Sequence, residues 1–253
     1  MLLSCLLLLA AGWRTLAPGM ELRELAVSAR QPGSQPIVVL RMDPSRWEIT
    51  LVSGSGTGES ASRTARAWAG RHRLAAAINA GMYATDGTTH VGYMECDGGV
   101  RSKSVNAYRS VAAFSPKRAG EPRFRLIDIR GRAEMERLRA RYACLVQNLR
   151  LVQRPGVSRW SQQPKKWSEA ALGEDRQGRI LFLFSPTPFS MHDLIQELLA
   201  SDLGLVAAQH LEGGGPAQLY IHVDGFEREM AGSLGAAVPI PHVLGVRPRS
   251  ATQ

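Results

Sequence analysis

The sequence lacks the short motifs that announce the commonest hydrolytic and nucleotide-dependent chemistries. It has no Gly-x-Ser-x-Gly elbow and no Gly-x-x-x-x-Gly-Lys loop, which argues against an α/β-hydrolase nucleophile and against a P-loop phosphate cradle. The glycines of Gly54-Ser55-Gly56-Thr57-Gly58 imitate a dinucleotide-binding turn, but the third required glycine falls on Glu59, so the segment reads as a loop. Six histidines, at 72, 90, 192, 210, 222 and 242, show no paired metal spacing, and no metal or other cofactor is implied. His210 and His222 are candidates to meet across neighbouring strands, as a structural pair first and a zinc site second. There is no internal repeat, no long linker and no shift in composition after residue 20.

Long apolar runs are also missing, with one short exception. Leu2 to Ala11 is apolar over about ten residues, the length of a signal-peptide core and too short to span a bilayer. Ala10-Ala11-Gly12 offers small residues for cleavage. Residues 1–12 are therefore expected to be a signal peptide and 13–253 one exported domain, periplasmic or extracellular, with no integral membrane span in the mature chain. Cysteine is scarce: beyond Cys5 only Cys96 and Cys144 remain, an even number in an oxidising compartment, readable as one disulfide or as two buried thiols.

Acidic residues are outnumbered, 22 against 31 Lys and Arg, for a net charge of +9. The imbalance concentrates between Arg101 and Arg159, where fifteen basic residues face four acidic ones. This reads either as a solvated basic face or as a field that attracts an anionic substrate or polymer. The basic residues lack regular aromatic interleaving, so nucleic acid is not the expected partner.

What the chain does contain is alternation. Residues 21–27, 36–42, 47–52 and 74–79 read as strands, and 60–72 as a helix. Asp97-Gly98 and Asp224-Gly225, each between extended runs, signal antiparallel hairpins. Further strands are expected at 111–115, 124–129, 144–147, 180–184, 205–210, 219–223 and 242–246. A charged helix is expected at 132–141, a polar loop at 153–167, and a helix opened by the cap Ser190-Met191-His192-Asp193. The fold class is α+β: a single domain with a mixed, largely antiparallel sheet and a few packed helices.

Chemistry is expected at two strand ends. Leu205 to Ala208 leads to His210-Leu211-Glu212-Gly213-Gly214-Gly215-Pro216, which sets a carboxylate beside three glycines. Consecutive glycines pack nothing and are tolerated where the chain must turn or a ligand approaches the main chain. Upstream, Asn79-Ala80-Gly81-Met82-Tyr83 ends another apolar run. In order and spacing this pair resembles the phosphodiester glycosidase family, whose members carry an Asn-Ala-Gly-aromatic motif and a later Leu-Asp-Gly-Gly-Gly-Ser motif. The resemblance spans roughly residues 70 to 247.

The resemblance implies hydrolysis of a sugar-1-phosphodiester, releasing the sugar and leaving a phosphomonoester. Gln147 matches a family glutamine, without its following Gly-Pro. Other positions depart from the pattern: Glu212 stands for an aspartate, His210 for an asparagine, Pro216 for a serine, and Glu169 for an arginine suited to phosphate. Glu212, Glu169 and Asn79 are then the expected catalytic residues. Tyr83, Arg109, Gln147, Arg150, Lys166, His210, Gly213, Gly214 and Gly215 are expected to bind substrate, with Lys165 and Arg159 as further cations and Tyr108, Trp160 and Trp167 as rings for a sugar face. The implied partner is a sugar-phosphodiester or anionic glycan of the envelope or an exopolysaccharide. A non-catalytic envelope protein that holds an anionic polysaccharide is the alternative, supported by the same departures.

Overall fold

The structure, a computed structural model, describes residues 12–27, 34–54, 62–233 and 235–250. The expected signal segment up to residue 11, the Ser55–Glu59 part of the glycine loop, and the expected helix start at Ser60 lie outside the described residues. In chain order the strands begin β1 (Arg14–Ala17), β2 (Met20–Leu25), β3 (Ile37–Met42) and β4 (Trp47–Ser53). Helix α1 (Ala65–His72) precedes β5 (Ala76–Asn79), β6 (Tyr93–Cys96), β7 (Gly99–Lys103), β8 (Ser110–Pro116) and β9 (Phe124–Asp128). Helix α2 (Arg132–Arg139) leads to β10 (Tyr142–Asn148), β11 (Arg150–Gln153), β12 (Val157–Ser158), β13 (Trp167–Asp175) and β14 (Ile180–Phe189). Helix α3 (Met191–Ala200) is followed by β15 (Leu205–Gly213), β16 (Gln218–Val223), β17 (Phe226–Ala231) and β18 (His242–Pro248).

The fold is α+β, and every ladder between these strands is antiparallel. The strands divide into three sheets. One has eight strands in the order β1-β2-β3-β14-β13-β15-β11-β12; two have five each, β7-β6-β10-β8-β9 and β17-β16-β5-β18-β4. Both expected hairpins form: Asp97 and Gly98, and Asp224 and Gly225, all take positive φ, the geometry that Asp-Gly supplies in a tight β-turn.

Period-two alternation sorts the side chains between a shared interior and three outer faces. Leu40, Phe182 and Phe184 from the large sheet pack with Phe114, Phe124, Ile78 and Leu219 from the other two in one core. Each sheet then covers its outer face with one helix. Met191, Leu194, Ile195 and Leu198 of α3 pack on Val39, Leu181 and Leu183. Trp68 and Ala69 of α1 pack on Ala77 and Val243, while Met135 and Leu138 of α2 pack on Val111, Ala113 and Leu145.

The helix caps follow from sequence. Ser190 accepts a hydrogen bond from Asp193 N at 3.1 Å, as its capping pattern predicts. Helix α1 begins later than periodicity indicates, because Thr64 takes the cap and accepts from Ala67 N. A disulfide joins Cys96 of β6 to Cys144 of β10, deciding between the two readings of those cysteines.

Candidate functional site

The register of β13 against β15 builds the site. Ala170 lies opposite Glu212, but Ala171 lies opposite His210, so Leu211 is an extra residue bulged out of the ladder. A bulge re-aims neighbouring side chains and recurs beside active sites. Leu211 is absorbed by the inner core, and His210 and Glu212 flank it.

His210 donates from Nδ1 to Glu169 Oε1 at 2.5 Å, with both side chains buried at 5% and 2% exposure. Trp167 Nε1 donates to the other oxygen, Glu169 Oε2, at 2.9 Å. Burial raises the Glu169 pKa above the ordinary carboxylate range, although His210 and Trp167 act in the opposite direction. Burial alone would depress the His210 imidazole, but the Glu169 carboxylate, helped by Glu212, outweighs it and holds His210 above its usual value. The pair therefore keeps a proton that an exposed histidine would release.

Glu212 is half-buried and accepts one bond, from Gly213 N at 3.0 Å. Burial pushes its pKa up to about 7, with the Gly213 N–H and His210 pulling down and Glu169 pushing further up. Tyr83, also half-buried, is near enough that Glu212, after burial, raises its phenol pKa. Three titratable groups and a phenol thus meet at the bulge. Glu169 and His210 form the floor, and Glu212 and Tyr83 retain access to solvent.

The glycines are explained by contact. A Cβ on Gly213 would lie 2.4 Å from the Trp167 ring, so only glycine lets the indole lie over the loop and reach Glu169. Ser168 fixes the next turn: its Oγ donates to Gly214 O at 2.9 Å, and its carbonyl accepts Gly214 N at 2.9 Å. Asn79 clamps the far side. Its Nδ2 donates to Pro216 O at 3.0 Å and its Oδ1 accepts Gln218 N at 2.7 Å.

The expected site residues therefore separate into groups. Glu212, Glu169, His210, Tyr83, Gly213, Gly214 and Gly215 come together. Asn79 joins them as the residue that positions the loop, its amide spent on main chain. Gln147 is fully buried, its Oε1 accepting Tyr93 N and Asn106 N and its Nε2 donating to Asn106 O. Among the cations, Arg150 is engaged by Asp128 at 3.3 Å. Arg109 and Lys166 are exposed and bond to nothing in the cluster. Lys165 instead lies over the Trp167 ring, its Nζ 5.3 Å from the centroid. Trp160 donates to Arg150 O, and Arg159 to Gln153. His210 and His222 lie in different sheets and do not meet.

Several supporting residues carry no sequence signal. Gln218 ties Ala65 N, Pro216 O and Val238 O together, coupling the loop to α1. His242 bridges Ser53 Oγ and Thr88 O, while His90 meets Gln147 O. Burial holds both imidazoles down to about 4, so they brace the 81–92 segment as neutral rings. Nothing in their sequence spacing distinguishes them from surface histidines.

A model of the phosphodiester glycosidase family matches residues 72–247. Among solved structures, the chain is similar to zebrafish N-acetylglucosamine-1-phosphodiester alpha-N-acetylglucosaminidase, the catalytic domain auto-inhibited by its pro-peptide. The TM-score is 0.65 at 12% identity, over 91% of this chain and 89% of that one. It is also similar to a hypothetical protein from Synechocystis, with a TM-score of 0.62 at 15% identity, over 91% of this chain and 62% of that one. At such identities these two likenesses concern the fold. No curated protein matches the sequence significantly.

Proposed function

The chain belongs to the phosphodiester glycosidase family, and from that premise we propose that it is an exported hydrolase cleaving the sugar–phosphate bond of a sugar-1-phosphodiester, with Glu212 at the anomeric centre. The observation that carries this reading is the Glu169–His210–Glu212 cluster beside the glycine loop. Each of its members departs from the family pattern, and the departures interact: His210 bonds Glu169, and Glu212 acts on His210 and feels Glu169 through charge. His210, whose imidazole pKa the buried Glu169 carboxylate raises, is the group placed to offer phosphate a hydrogen bond where an arginine at 169 would have brought a charge.

The step assigned to these residues balances simply. A water oxygen bonds to the anomeric carbon as the bond from that carbon to the phosphate oxygen breaks. Glu212 takes the water proton, and the phosphomonoester leaves with both bonding electrons. A phosphate leaving group needs little acid assistance, so the demand falls on the base and on cations near the departing oxygen. A pKa of about 7 suits Glu212 to accept a proton at neutral pH. Glu169 is too enclosed to touch water and acts through His210. Tyr83 and Trp167 offer rings to the sugar.

Export is supported by the Cys96–Cys144 disulfide, which an oxidising compartment preserves, and by the apolar run before residue 12. No helix among the described residues is long and apolar enough to cross a membrane. An envelope glycan or exopolysaccharide bearing sugar-1-phosphodiester links is the substrate class proposed.

The test is release of free reducing sugar from a panel of sugar-1-phosphodiesters, UDP-N-acetylglucosamine among them, by the purified mature chain and by Glu212→Gln. Turnover by the parent chain, lost in the variant and partly restored in Glu212→Ala by formate, supports the assignment. Absence of turnover across the panel from a cooperatively melting protein favours the polysaccharide-binding alternative.

A further inference from the structure

The five-stranded sheet that holds Asn79 at one end has a cavity of about 930 Å³ at the other. Its wall is made where β5 and β4 begin and β16 and β18 end: Leu74 and Ala75, Trp47, Val223 and Pro248. Leu74 and Asn79 are five positions apart, at most roughly 16 Å at about 3.3 Å per residue, and none of Glu169, His210, Glu212 or Tyr83 lines the cavity. The cavity is therefore distinct from the Glu212 cluster.

Four arginines ring it: Arg46, Arg73, Arg123 and Arg249. They come from four separate segments, so no helix periodicity or charge run in the sequence groups them. Among the described residues none of the four has a carboxylate oxygen within 4.0 Å of its guanidinium nitrogens. That contrasts with other arginines of the basic stretch 101–159, to which Arg123 also belongs. There Arg139 is held by Glu95, Arg141 by Glu121, Arg150 by Asp128, and Arg125 and Arg154 share Glu174. Arg249 donates from Nε to Pro44 O at 3.0 Å, and its terminal nitrogens bond to no described residue. Burial, and then the charge of Arg123, act against its protonated form. Glu48, itself paired with Arg247, acts on Arg249 in the opposite direction but less than burial and Arg123 do, and Asp43 feels the charge of Arg46. The remaining titratable groups on the wall are Tyr220, whose phenol donates to Glu227, His222 and one carboxylate, Asp224, the last two exposed.

We propose that this cavity is a second, non-catalytic binding site for an oligoanion carrying at least two phosphate groups, such as a segment of phosphate-bearing glycan. Guanidinium forks match phosphate oxygens two at a time, and the volume falls within the range of small-ligand sites. The floor of Leu74, Ala75 and Val223 accepts the uncharged part of such a ligand. The inference stands whether or not Glu212 is catalytic.

Calorimetry with tripolyphosphate as the probe, and inorganic phosphate as the single-group comparison, tests it on the purified chain. One-to-one binding at least tenfold tighter than phosphate is expected, unchanged in Glu212→Gln. Binding should weaken at least tenfold in Arg73→Asn/Arg123→Gln, and measurably in the single Arg46→Gln, all at exposed side chains. Arg130→Gln/Arg137→Gln, which removes two exposed charges, one on α2 and one just before it, should leave it unchanged. Equal loss in both double variants would show diffuse charge attraction and overturn the site. So would loss in Glu212→Gln, or no measurable binding by the parent chain.

Discussion

Replacing Glu212 by glutamine should remove turnover and at the same time stabilise the protein at alkaline pH. The folded carboxyl titrates at about 7 against an ordinary value of 4.5. Between those values the unfolded chain has released its proton while the folded chain retains it, so stability falls as pH rises. The contribution is fully present below 4.5 and gone above about 7. At about 1.4 kcal/mol per pH unit, the gap corresponds to about 3 kcal/mol at most; the half-exposed position reduces it to about 2 kcal/mol. Glutamine keeps the shape without the charge, so Glu212→Gln should melt roughly 4–8 °C above the parent at pH 8. At pH 4 the two should melt together. Melting curves across pH 4 to 9 for both proteins decide the matter. A variant that melts at or below the parent at pH 8, or two proteins with parallel pH profiles, would refute the argument that burial strains this carboxylate.

Other substitutions probe the remaining contacts. Glu169→Gln removes the charge that holds His210 protonated; by the sign of that shift, the falling limb of the activity profile should move to lower pH, and a proton-detected titration of the imidazole should move with it. Gly213→Ala should cost about 1–3 kcal/mol by driving a methyl into Trp167, with a changed tryptophan emission as its signature; normal stability would mean that the indole does not rest on the loop. Cys96→Ala/Cys144→Ala opens a link across 48 residues and should lower unfolding free energy by about 2–4 kcal/mol in denaturant titrations. Glu169→Arg alone should be severely destabilising, because two cations then share a buried floor. Adding His210→Asn should recover at least about 1 kcal/mol beyond additivity in a double-mutant cycle.

The sequence made the α+β class, the Ser190 cap of α3 and both Asp-Gly turns legible because each depends on local chemistry. Strand β13 was not legible, and its composition shows why. Trp167-Ser168-Glu169-Ala170-Ala171-Leu172-Gly173-Glu174-Asp175 is rich in residues that favour helix or exposure. Its three carboxylates are nevertheless buried, Glu169 against His210, Glu174 against Arg125 and Arg154, and Asp175 against Arg179. For Glu169 and Glu174 the ionisable partners that make that burial tolerable are remote in sequence, whereas Asp175 has its partner four residues on. The Leu211 bulge is invisible for a similar reason, since a register shift exists only between two strands. Asn79 was legible as a strand end; that its amide clasps Pro216 and Gln218 required the pairing of β5 with β16.

The departures from the family motif gain meaning from this geometry. Taken singly along the chain, Glu169, His210 and Glu212 look like three losses, and three independent losses would indicate a site drifting out of use. In the fold they are one interacting unit. An arginine at 169 would bring a cation against a protonated His210, and a glutamate at 169 without His210 would leave a buried carboxylate with only the Trp167 N–H. Each replacement is thus tolerable chiefly because the other is present. A drifting surface does not need buried polar groups that answer one another at 2.5 Å, whereas the site proposed above would. The cost of holding Glu212 at about 7 points the same way, because a carboxylate with no task would be more stable exposed or replaced by an amide.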